Sequence, residues 1–193
     1  MDSFLSTETG GPLMYYFTSD THFFHAKIIG YCNRPFNSME EMNEEMIRRW
    51  NERVSPEDTV FHIGDFGLCK SSEAPNAPKD PFKFIRSQLN GNIIFIAGNH
   101  DGNNKNKSII ESMIIIHGGH RIYLTHNPKF YRKDFEWNFC GHTHGNEGVF
   151  RKIEKSIIVD VGVDCWDFRP IEINEIVQGY SKWRKQGFKN EKN

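Results

Sequence analysis

Five predicted β-strands of this chain each run directly into side chains that carry oxygen or nitrogen donors. The apolar segment that ends at Thr18 is followed by Ser-Asp-Thr-His, and the one that ends at Ile63 is followed by Gly-Asp. The three later strands are followed by Gly-Asn-His-Asp, by His126 and by Gly-His-Thr-His. Ligands of open α/β sheets bind beyond the carboxyl ends of the strands. The sequence therefore predicts an α/β fold in which five strand ends share one polar site.

The segments between these strands carry helix and hairpin signals. The tetrapeptide S-M-E-E at 38–41 has the form of a capping box, and apolar residues follow it at helical spacing as far as Val54. A second helical stripe begins at Ile173, and the Gly-Gly pair at 118–119 between two apolar segments indicates a β-hairpin. Strands that alternate with helices, followed by a hairpin-rich second half, predict α/β layers with a mixed sheet.

Composition argues against several classes of protein. With 193 residues, of which 37% are hydrophobic, the chain is long enough to bury a core without disulfides. Its 24 basic and 25 acidic residues leave a net charge of −1, which argues against disorder and against a dedicated nucleic-acid-binding surface. The four cysteines include no C-x-x-C pair, so neither a structural zinc knot nor a disulfide framework is expected.

Signals for membrane insertion or export are not evident in the sequence. No apolar segment approaches the roughly 18 residues of a transmembrane helix, and the first residues lack the pattern of a secretory signal. We therefore expect no membrane partner and a cytoplasmic location. Residues 1–12 are predicted to form a flexible arm, residues 13–187 the folded domain and residues 188–193 a flexible tail.

The side chains beyond the strand ends supply enough donors for two metal ions. Residues two apart in an extended segment face the same side, so Asp20 with His22, and His142 with His144, are each expected to converge. Mixed imidazole and carboxylate donors suit manganese, iron, zinc, nickel or cobalt rather than calcium, and manganese is the ion we expect. Two such ions about 3.5–4 Å apart are a recurring device for phosphoester hydrolysis. Asp65 is the candidate bridging carboxylate, because a preceding glycine allows close backbone approach.

Taken in order, the motifs SDTH, GD, GNHD, TH and GHTH resemble the signature blocks of the calcineurin-like metallophosphoesterases, over about residues 14–145. The longer stretches FTSDTHFFHAKII and VGVDCWDFRP are similar to small bacterial and phage-type members. The resemblance implies a four-layer αββα sandwich with two mixed sheets and a dinuclear metal centre at the C-terminal strand ends. It does not extend to the GDxxDRG block of protein phosphatases, whose second Asp and Arg are missing after Asp65.

The same resemblance implies a role for each motif residue. The first ion would be held by Asp20, His22 and His144, with Asp65 as the bridge to the second ion. The second ion would be held by Asn99, His126 and His142. A hydroxide shared by the ions would attack phosphorus, and His100 would donate a proton to the leaving oxygen. Asp101 is a weaker candidate for orienting His100, because adjacent side chains rarely point together.

Several residues outside these motifs have two interpretations. His25 and Arg34 are candidate substrate contacts, since arginine suits phosphate, but a helix cap and an ion pair explain them slightly better. Asp160 and Asp164 are possible metal ligands, although support of other ligands or ion pairing is favoured.

The sequence thus predicts a metal-dependent phosphoester hydrolase that acts on a small-molecule or nucleotide-like substrate. A phosphodiesterase is favoured slightly over a phosphomonoesterase, which would use the same site residues with a different pocket. A non-catalytic interaction scaffold is the third hypothesis, disfavoured because every ligand and His100 are present. The sequence leaves the oligomeric state open.

Overall fold

The computed structural model describes residues 12–70, 72, 74–101 and 108–187, which form two β-sheets and their flanking helices. The α-helices are Lys27–Tyr31 (α1), Met39–Asn51 (α2), Pro81–Arg86 (α3) and Ile173–Lys185 (α4). The strands of the first sheet are Tyr15–Thr18 (β1), Thr59–Ile63 (β2), Asn92–Ile96 (β3) and Ile171–Glu172 (β9). The strands of the second are Ser112–His117 (β4), His120–Thr125 (β5), Trp137–Cys140 (β6), Phe150–Ile153 (β7) and Ser156–Asp160 (β8).

The first sheet has the order β3-β2-β1-β9, and its three long strands run parallel. Phe17 of β1 pairs with Phe61 of β2, which pairs with Ile94 of β3. The short strand β9 is antiparallel to β1. Because β1, β2 and β3 share one direction, the three polar segments that follow them emerge at the same edge.

The second sheet has the order β4-β5-β6-β8-β7. Its inner strands β5, β6 and β8 are parallel, whereas β4 and β7 are antiparallel to their neighbours. Gly118 and Gly119 form the predicted two-residue turn between β4 and β5, with φ of +57° and +76°. Both sheets are therefore mixed. The α/β class predicted from the sequence pattern is confirmed, as are the two mixed sheets that the family resemblance implied.

The two sheets pack face to face around an aromatic core. Phe17 of the first sheet meets Phe139 of the second edge to face, with ring centroids 4.9 Å apart. Helix α4 joins the same core through Tyr180, whose ring lies 5.4 Å from that of Trp137. An isolated parallel bridge between Ser19 and Gly162 ties the carboxyl ends of the two sheets together. This bridge brings the polar segments of both sheets into one site.

Helices α1, α2 and α3 cover the other face of the first sheet. The helix predicted from the capping box is present as α2, and its Met42, Met46 and Trp50 are buried. The hydroxyl of Ser38 accepts from the amide of Glu41 at 3.1 Å, while the Glu41 carboxylate accepts from the amide of Asn37 at 2.8 Å. In a capping box, the Glu41 carboxylate would accept from the amide of Ser38 itself. Here it accepts from the amide of the preceding residue, Asn37.

Two strands were not indicated by the sequence pattern. Strand β7 has the sequence FRKI, whose second to fourth residues are partly or fully exposed, and β9 spans two residues, which is too short for any periodicity. The predicted tail 188–193 and all but the last residue of the predicted arm 1–12 lie outside the described residues. The proposed domain boundaries therefore stay predictions. None of the helices in the described part of the chain is long and apolar enough to cross a membrane.

Candidate metal centre

All seven predicted metal ligands lie just beyond the carboxyl ends of strands. Those that follow the first sheet are Asp20 and His22 after β1, Asp65 after β2 and Asn99 after β3. Those that follow the second sheet are His126 after β5, and His142 and His144 after β6. The structure brings their side chains together in two groups with one carboxylate between them.

The first group consists of the Asp20 carboxylate and the imidazoles of His22 and His144, whose donor atoms lie within 4.8 Å of one another. Asp20 Oδ1 and His22 Nε2 are buried and have no hydrogen-bond partner among the described residues. A buried polar atom without a partner costs about 1–3 kcal/mol. A cation between these atoms would satisfy both, so this donor set fits a metal ion.

The second group centres on the amide oxygen of Asn99. His126 Nε2 lies 3.0 Å from Asn99 Oδ1, and His142 Nδ1 lies 2.8 Å from the same oxygen. The other ring nitrogen of His126, Nδ1, lies 2.8 Å from the carbonyl oxygen of Ile63 and donates to it. A neutral His126 ring therefore directs the lone pair of Nε2 at this group, as a metal ligand requires.

Asp65 lies between the two groups. Its Oδ2 atom is 3.6 Å from His22 Nε2 in the first group and 3.4 Å from His126 Nε2 in the second. Its Oδ1 atom accepts a hydrogen bond of 2.9 Å from the backbone amide of His100. One carboxylate oxygen thus faces both groups while the other fixes the orientation of the side chain.

The charges of these residues are strongly coupled. Burial opposes ionisation of Asp65, but contacts with His126, His100 and His22 outweigh it and hold the pKa of Asp65 well below its usual range. Burial raises the pKa of Asp20 to about 6, although His126 and His144 act in the opposite direction. Burial therefore disfavours the ionised form of Asp20, and a divalent ion at this centre would stabilise that form.

The family model of the calcineurin-like phosphoesterase superfamily domain matches residues 14–170 of the chain. The chain belongs to this superfamily. Membership implies metal-dependent hydrolysis of phosphoesters and the use of divalent metal ions. The uncharacterized protein MJ1445 of Methanocaldococcus jannaschii is 38% identical to this phosphoesterase-family chain over 168 residues, which cover 84% of this chain and 89% of that relative.

Solved structures of related fold include a protein of unknown function. The crystal structure of AQ665 from Aquifex aeolicus matches with a TM-score of 0.67 and 26% identity, over 86% of this chain and 98% of that one. A structure described as that of a novel archaeal phosphodiesterase has 19% identity and a TM-score of 0.39, over 79% of this chain and 86% of that one. The second likeness is too distant to bear on the substrate of this family member.

Most of the predicted metal ligands have a left-handed backbone conformation, which costs a non-glycine residue on the order of 1–2 kcal/mol. Their φ values are +56° at Asp20, +50° at His22, +56° at Asp65, +73° at His142 and +50° at His144. The expectation that Asp20 and His22 converge is confirmed, but the reason, an extended segment, is wrong. His142 and His144 do not form a pair, because the left-handed turn places His142 in the second group and His144 in the first.

Glycines give these ligands room at the sheet edge. Gly64 has φ of +87°, and a Cβ atom there would lie 2.5 Å from the ring of His126. A Cβ atom on Gly98 would collide with the Asp65 carboxylate. The glycine before Asp65 is therefore needed for close approach, as the sequence analysis expected.

Asp101 holds the loops of the site together. Its carboxylate accepts from the backbone amides of Asp65 at 2.9 Å, Phe66 at 3.1 Å and Gly98 at 2.8 Å. These three bonds connect the segment after β2 with the segment after β3. Asp101 therefore helps to position Asp65 and the Asn99-His100 pair. The sequence analysis considered Asp101 only as a residue that orients the His100 ring.

The two candidate substrate contacts, His25 and Arg34, are both buried. His25 is buried, and its Nδ1 atom is 3.3 Å from Nδ1 of His22. The side chain of Arg34 is fully buried and makes a bidentate ion pair with Asp164. The ion-pair interpretation of Arg34 is the one that this geometry favours, although the side chain of its partner Asp164 is only 8% exposed and does not lie on the open surface. Substrate binding by His25 stays a prediction.

Asp160 and Asp164 support the loop that carries the last two ligands. Asp160 accepts from the hydroxyl of Thr143 at 2.6 Å and from the amide of Gly145 at 2.9 Å. Asp164 Oδ2 lies 2.7 Å from Nδ1 of His144. Both carboxylates therefore act through other residues, as the sequence analysis favoured. The contact between Asp164 and Arg34 had no signal in the sequence, since 130 positions separate the two residues.

Two of the imidazoles predicted to bind metal hold protons that an ion would have to displace. Burial lowers the pKa of His126, but the contact with Asp65 and the charge of Asp20 outweigh this effect and raise it to about 9. Burial also lowers the pKa of His144, but contacts with Asp164, Cys32 and Asp20 raise it to about 10. Both rings are therefore protonated at pH 7 in the metal-free protein.

Metal uptake is therefore expected to strengthen as the pH rises. Below a pH of about 9, each ion must displace a proton, because only a neutral imidazole binds a metal. Calorimetry of Mn²⁺ binding in two buffers of different ionisation enthalpy should detect the release of about two protons per chain at pH 7, and fewer above pH 9. An affinity that stays constant over this range would contradict the assignment of His126 and His144 as ligands.

Proposed function

We propose that this protein is a two-metal-dependent phosphodiesterase that hydrolyses a small or nucleotide-like phosphoester. The observation that carries the proposal is the position of Asp65 Oδ2, 3.6 Å from His22 Nε2 and 3.4 Å from His126 Nε2. A carboxylate that faces two groups of donors is what a pair of ions requires, and such pairs recur in phosphoester hydrolysis. Manganese is the ion that we expect, from the mixture of imidazole and carboxylate donors.

When bound, the two ions supply Lewis-acid activation of the phosphoryl group and of the attacking water. The chain itself supplies the proton donor. The His100 side chain is 42% exposed, and its Nε2 atom lies 3.9 Å from Asp65 Oδ2. The ring is thus beside the donor groups and within reach of a substrate from solvent. This position supports His100 as the group that protonates the leaving oxygen, a role that general acids perform in many hydrolases.

An exposed aromatic side chain near the centre supports a substrate with a planar group. Tyr31, at the end of α1, is 71% exposed, and its ring lies edge-on to His25 at 6.2 Å. His25 in turn lies 5.2 Å from the ring of His22 and 6.4 Å from that of His100. Stacking of a base on an aromatic ring contributes about 1–3 kcal/mol. We therefore favour a nucleotide-like diester whose base lies toward Tyr31.

A substrate panel tests this function. With Mn²⁺ present, kcat/KM for bis-p-nitrophenyl phosphate and cyclic nucleotides should exceed that for p-nitrophenyl phosphate by at least about tenfold, or roughly 1.4 kcal/mol. Single-stranded DNA and a diester of glycerol complete the panel, and the glycerol diester should have the higher KM because it lacks a base. Protein treated with a chelator is the control and should be inactive.

Each other outcome points to a different hypothesis. Faster hydrolysis of p-nitrophenyl phosphate than of every diester would replace the proposal with a phosphomonoesterase. Two bound ions without hydrolysis of any phosphoester would favour the interaction scaffold. A cytoplasmic location and manganese as the working ion stay predictions.

A further inference from the structure

The segment VGVDCWDFRP places a carboxylate behind one of the metal ligands. Asp164 lies in a short 3-10 turn after β8, and its Oδ2 atom is 2.7 Å from Nδ1 of His144. The opposite nitrogen of the same ring, Nε2, is 3.9 Å from Asp20 Oδ1 in the first group of donors. Asp164 therefore contacts the ring on the side away from the metal centre.

A buried arginine fixes the position of Asp164. Arg34 Nε donates to Asp164 Oδ1 at 2.8 Å, and Arg34 Nη2 donates to Oδ2 at 2.9 Å. The same guanidinium donates to the carbonyl oxygens of Asp20 at 2.7 Å and Thr21 at 3.0 Å. One planar cation thus connects Asp164 with the backbone that carries the first-ion ligands Asp20 and His22.

This arrangement determines which nitrogen of His144 keeps its proton in the neutral ring, the form that binds a metal ion. An ionised carboxylate only accepts hydrogen bonds and a guanidinium only donates them, so Nδ1 of His144 must be the donor to Asp164. In the neutral ring, Nε2 then has no proton, and its lone pair points toward Asp20 Oδ1. Metal ligands of this kind depend on such partners for their tautomer and their orientation.

We propose that Asp164 and Arg34 are positioning residues for the first metal ion of the two-ion site. Asp164 sets the tautomer and the ring plane of His144. Arg34 fixes the position of Asp164 relative to the backbone of Asp20. The side chain of Arg34 has no exposed surface, so a direct contact with substrate phosphate does not explain it.

An ion held by Asp164 itself is a weaker explanation of the same geometry. Cys32, His144 and Asp164 do bring three donor atoms within 4.8 Å of one another. An ion among them would have to break the contact of 2.7 Å between His144 Nδ1 and Asp164 Oδ2, and Arg34 already neutralises Asp164 with two hydrogen bonds. The positioning role needs no such rearrangement.

The Asp164→Asn variant tests the proposal. Arg34 requires an acceptor, so the amide oxygen of the variant should face Arg34 and its NH₂ group should donate to Nδ1 of His144. The neutral ring would then have its proton on Nε2, where the ion must bind. Loss of such a supporting partner weakens metal affinity about 10–100-fold.

Calorimetry of Mn²⁺ binding to metal-free protein provides the measurement, in two backgrounds that each isolate one ion. With His142→Ala, which disables the second group, Asp164→Asn should raise the dissociation constant of the remaining ion about 10–100-fold. With His22→Ala, which disables the first group, the same substitution should leave the dissociation constant unchanged. Equal effects in both backgrounds, or no effect in either, would overturn the proposal.

A matched control lies three residues further along the chain. Asp167 is 74% exposed and pairs with Arg49 at the surface, so Asp167→Asn should leave both dissociation constants unchanged. Circular dichroism of the metal-free variants checks that they fold. If Asp164→Asn does not fold, Arg34→Lys is tested in the same two backgrounds. Lysine keeps the positive charge but cannot donate to both carboxylate oxygens of Asp164 in the bidentate way that arginine does. This substitution should weaken only the first ion.

Discussion

Replacing Asp65 with asparagine is expected to reduce kcat/KM by about 10³-fold or more and to lower the affinity for both ions. The backbone amide of His100 already donates to Oδ1 of Asp65, so the oxygen of the new amide would stay there. Its NH₂ group would then take the place of Oδ2, which faces His22 and His126. A donor would replace the acceptor that the two ions would share, and one negative charge would be lost.

Elemental analysis after loading with Mn²⁺ and desalting measures this effect. The native protein should retain nearly two ions per chain, the Asp65→Asn variant fewer than one, and His22→Ala about one. Asp134→Asn is the control, because Asp134 is exposed and pairs only with Arg132 among its described ion pairs. If Asp65→Asn kept native activity and metal content, the assignment of the bridge would be wrong. A native protein that is fully active with one ion would refute the two-ion site itself.

The positions of the candidate metal ligands at the ends of the strands were predictable, because they follow from local rules. A parallel strand followed by glycine and a polar residue places that residue at the carboxyl edge of the sheet, as Asp65 and Asn99 show. The Met/Trp stripe of α2 and the turn at 118–119 follow from periodicity and from glycine conformation in the same way. Such signals lie within a few residues of the feature that they predict.

Contacts between distant segments were not predictable from these rules. The allocation of His142 and His144 to different groups depends on left-handed backbone at both residues, which sequence periodicity does not specify. The pairing of Arg34 with Asp164 joins a loop near α1 to a turn after β8, and nothing near either residue indicates the other. Residue type and spacing therefore indicated the donors at the strand ends, and the family resemblance implied their roles as ligands. The packing of the two sheets determines which residues lie behind these donors.

Replacing His100 with asparagine should separate two kinds of substrate. Attack of water on phosphorus transfers charge to the leaving oxygen. A ribose oxygen leaves poorly as an alkoxide and needs a proton in the transition state, whereas p-nitrophenolate leaves without one. General acid catalysis contributes about 10²–10⁴-fold where a proton is needed. We therefore expect His100→Asn to reduce kcat/KM for cyclic nucleotides by a factor in this range, and to reduce it much less for bis-p-nitrophenyl phosphate.

The structure explains why this substitution should leave the metal centre intact. The contact that His100 makes with Asp65 Oδ1 comes from its backbone amide, which asparagine retains. Its ring nitrogen Nε2 lies farther from Asp65 Oδ2, at 3.9 Å, than the corresponding atoms of His22 and His126. Mn²⁺ content after desalting should therefore match that of the native protein. His120→Asn is a matched control, because His120 lies at the β4–β5 turn against Trp137.

The ratio of the two losses decides the role of His100. Loss on cyclic nucleotides alone, with unchanged metal content, is the signature of a proton donor, because only the poor leaving group depends on it. Equal losses on both substrates would show that the ring stabilises the phosphoryl group instead, since that interaction does not depend on the leaving oxygen. A lower metal content would place His100 among the ligands, and the proton would then have to come from another group. The kcat/KM values of both proteins on both substrates, measured at saturating Mn²⁺, distinguish these cases.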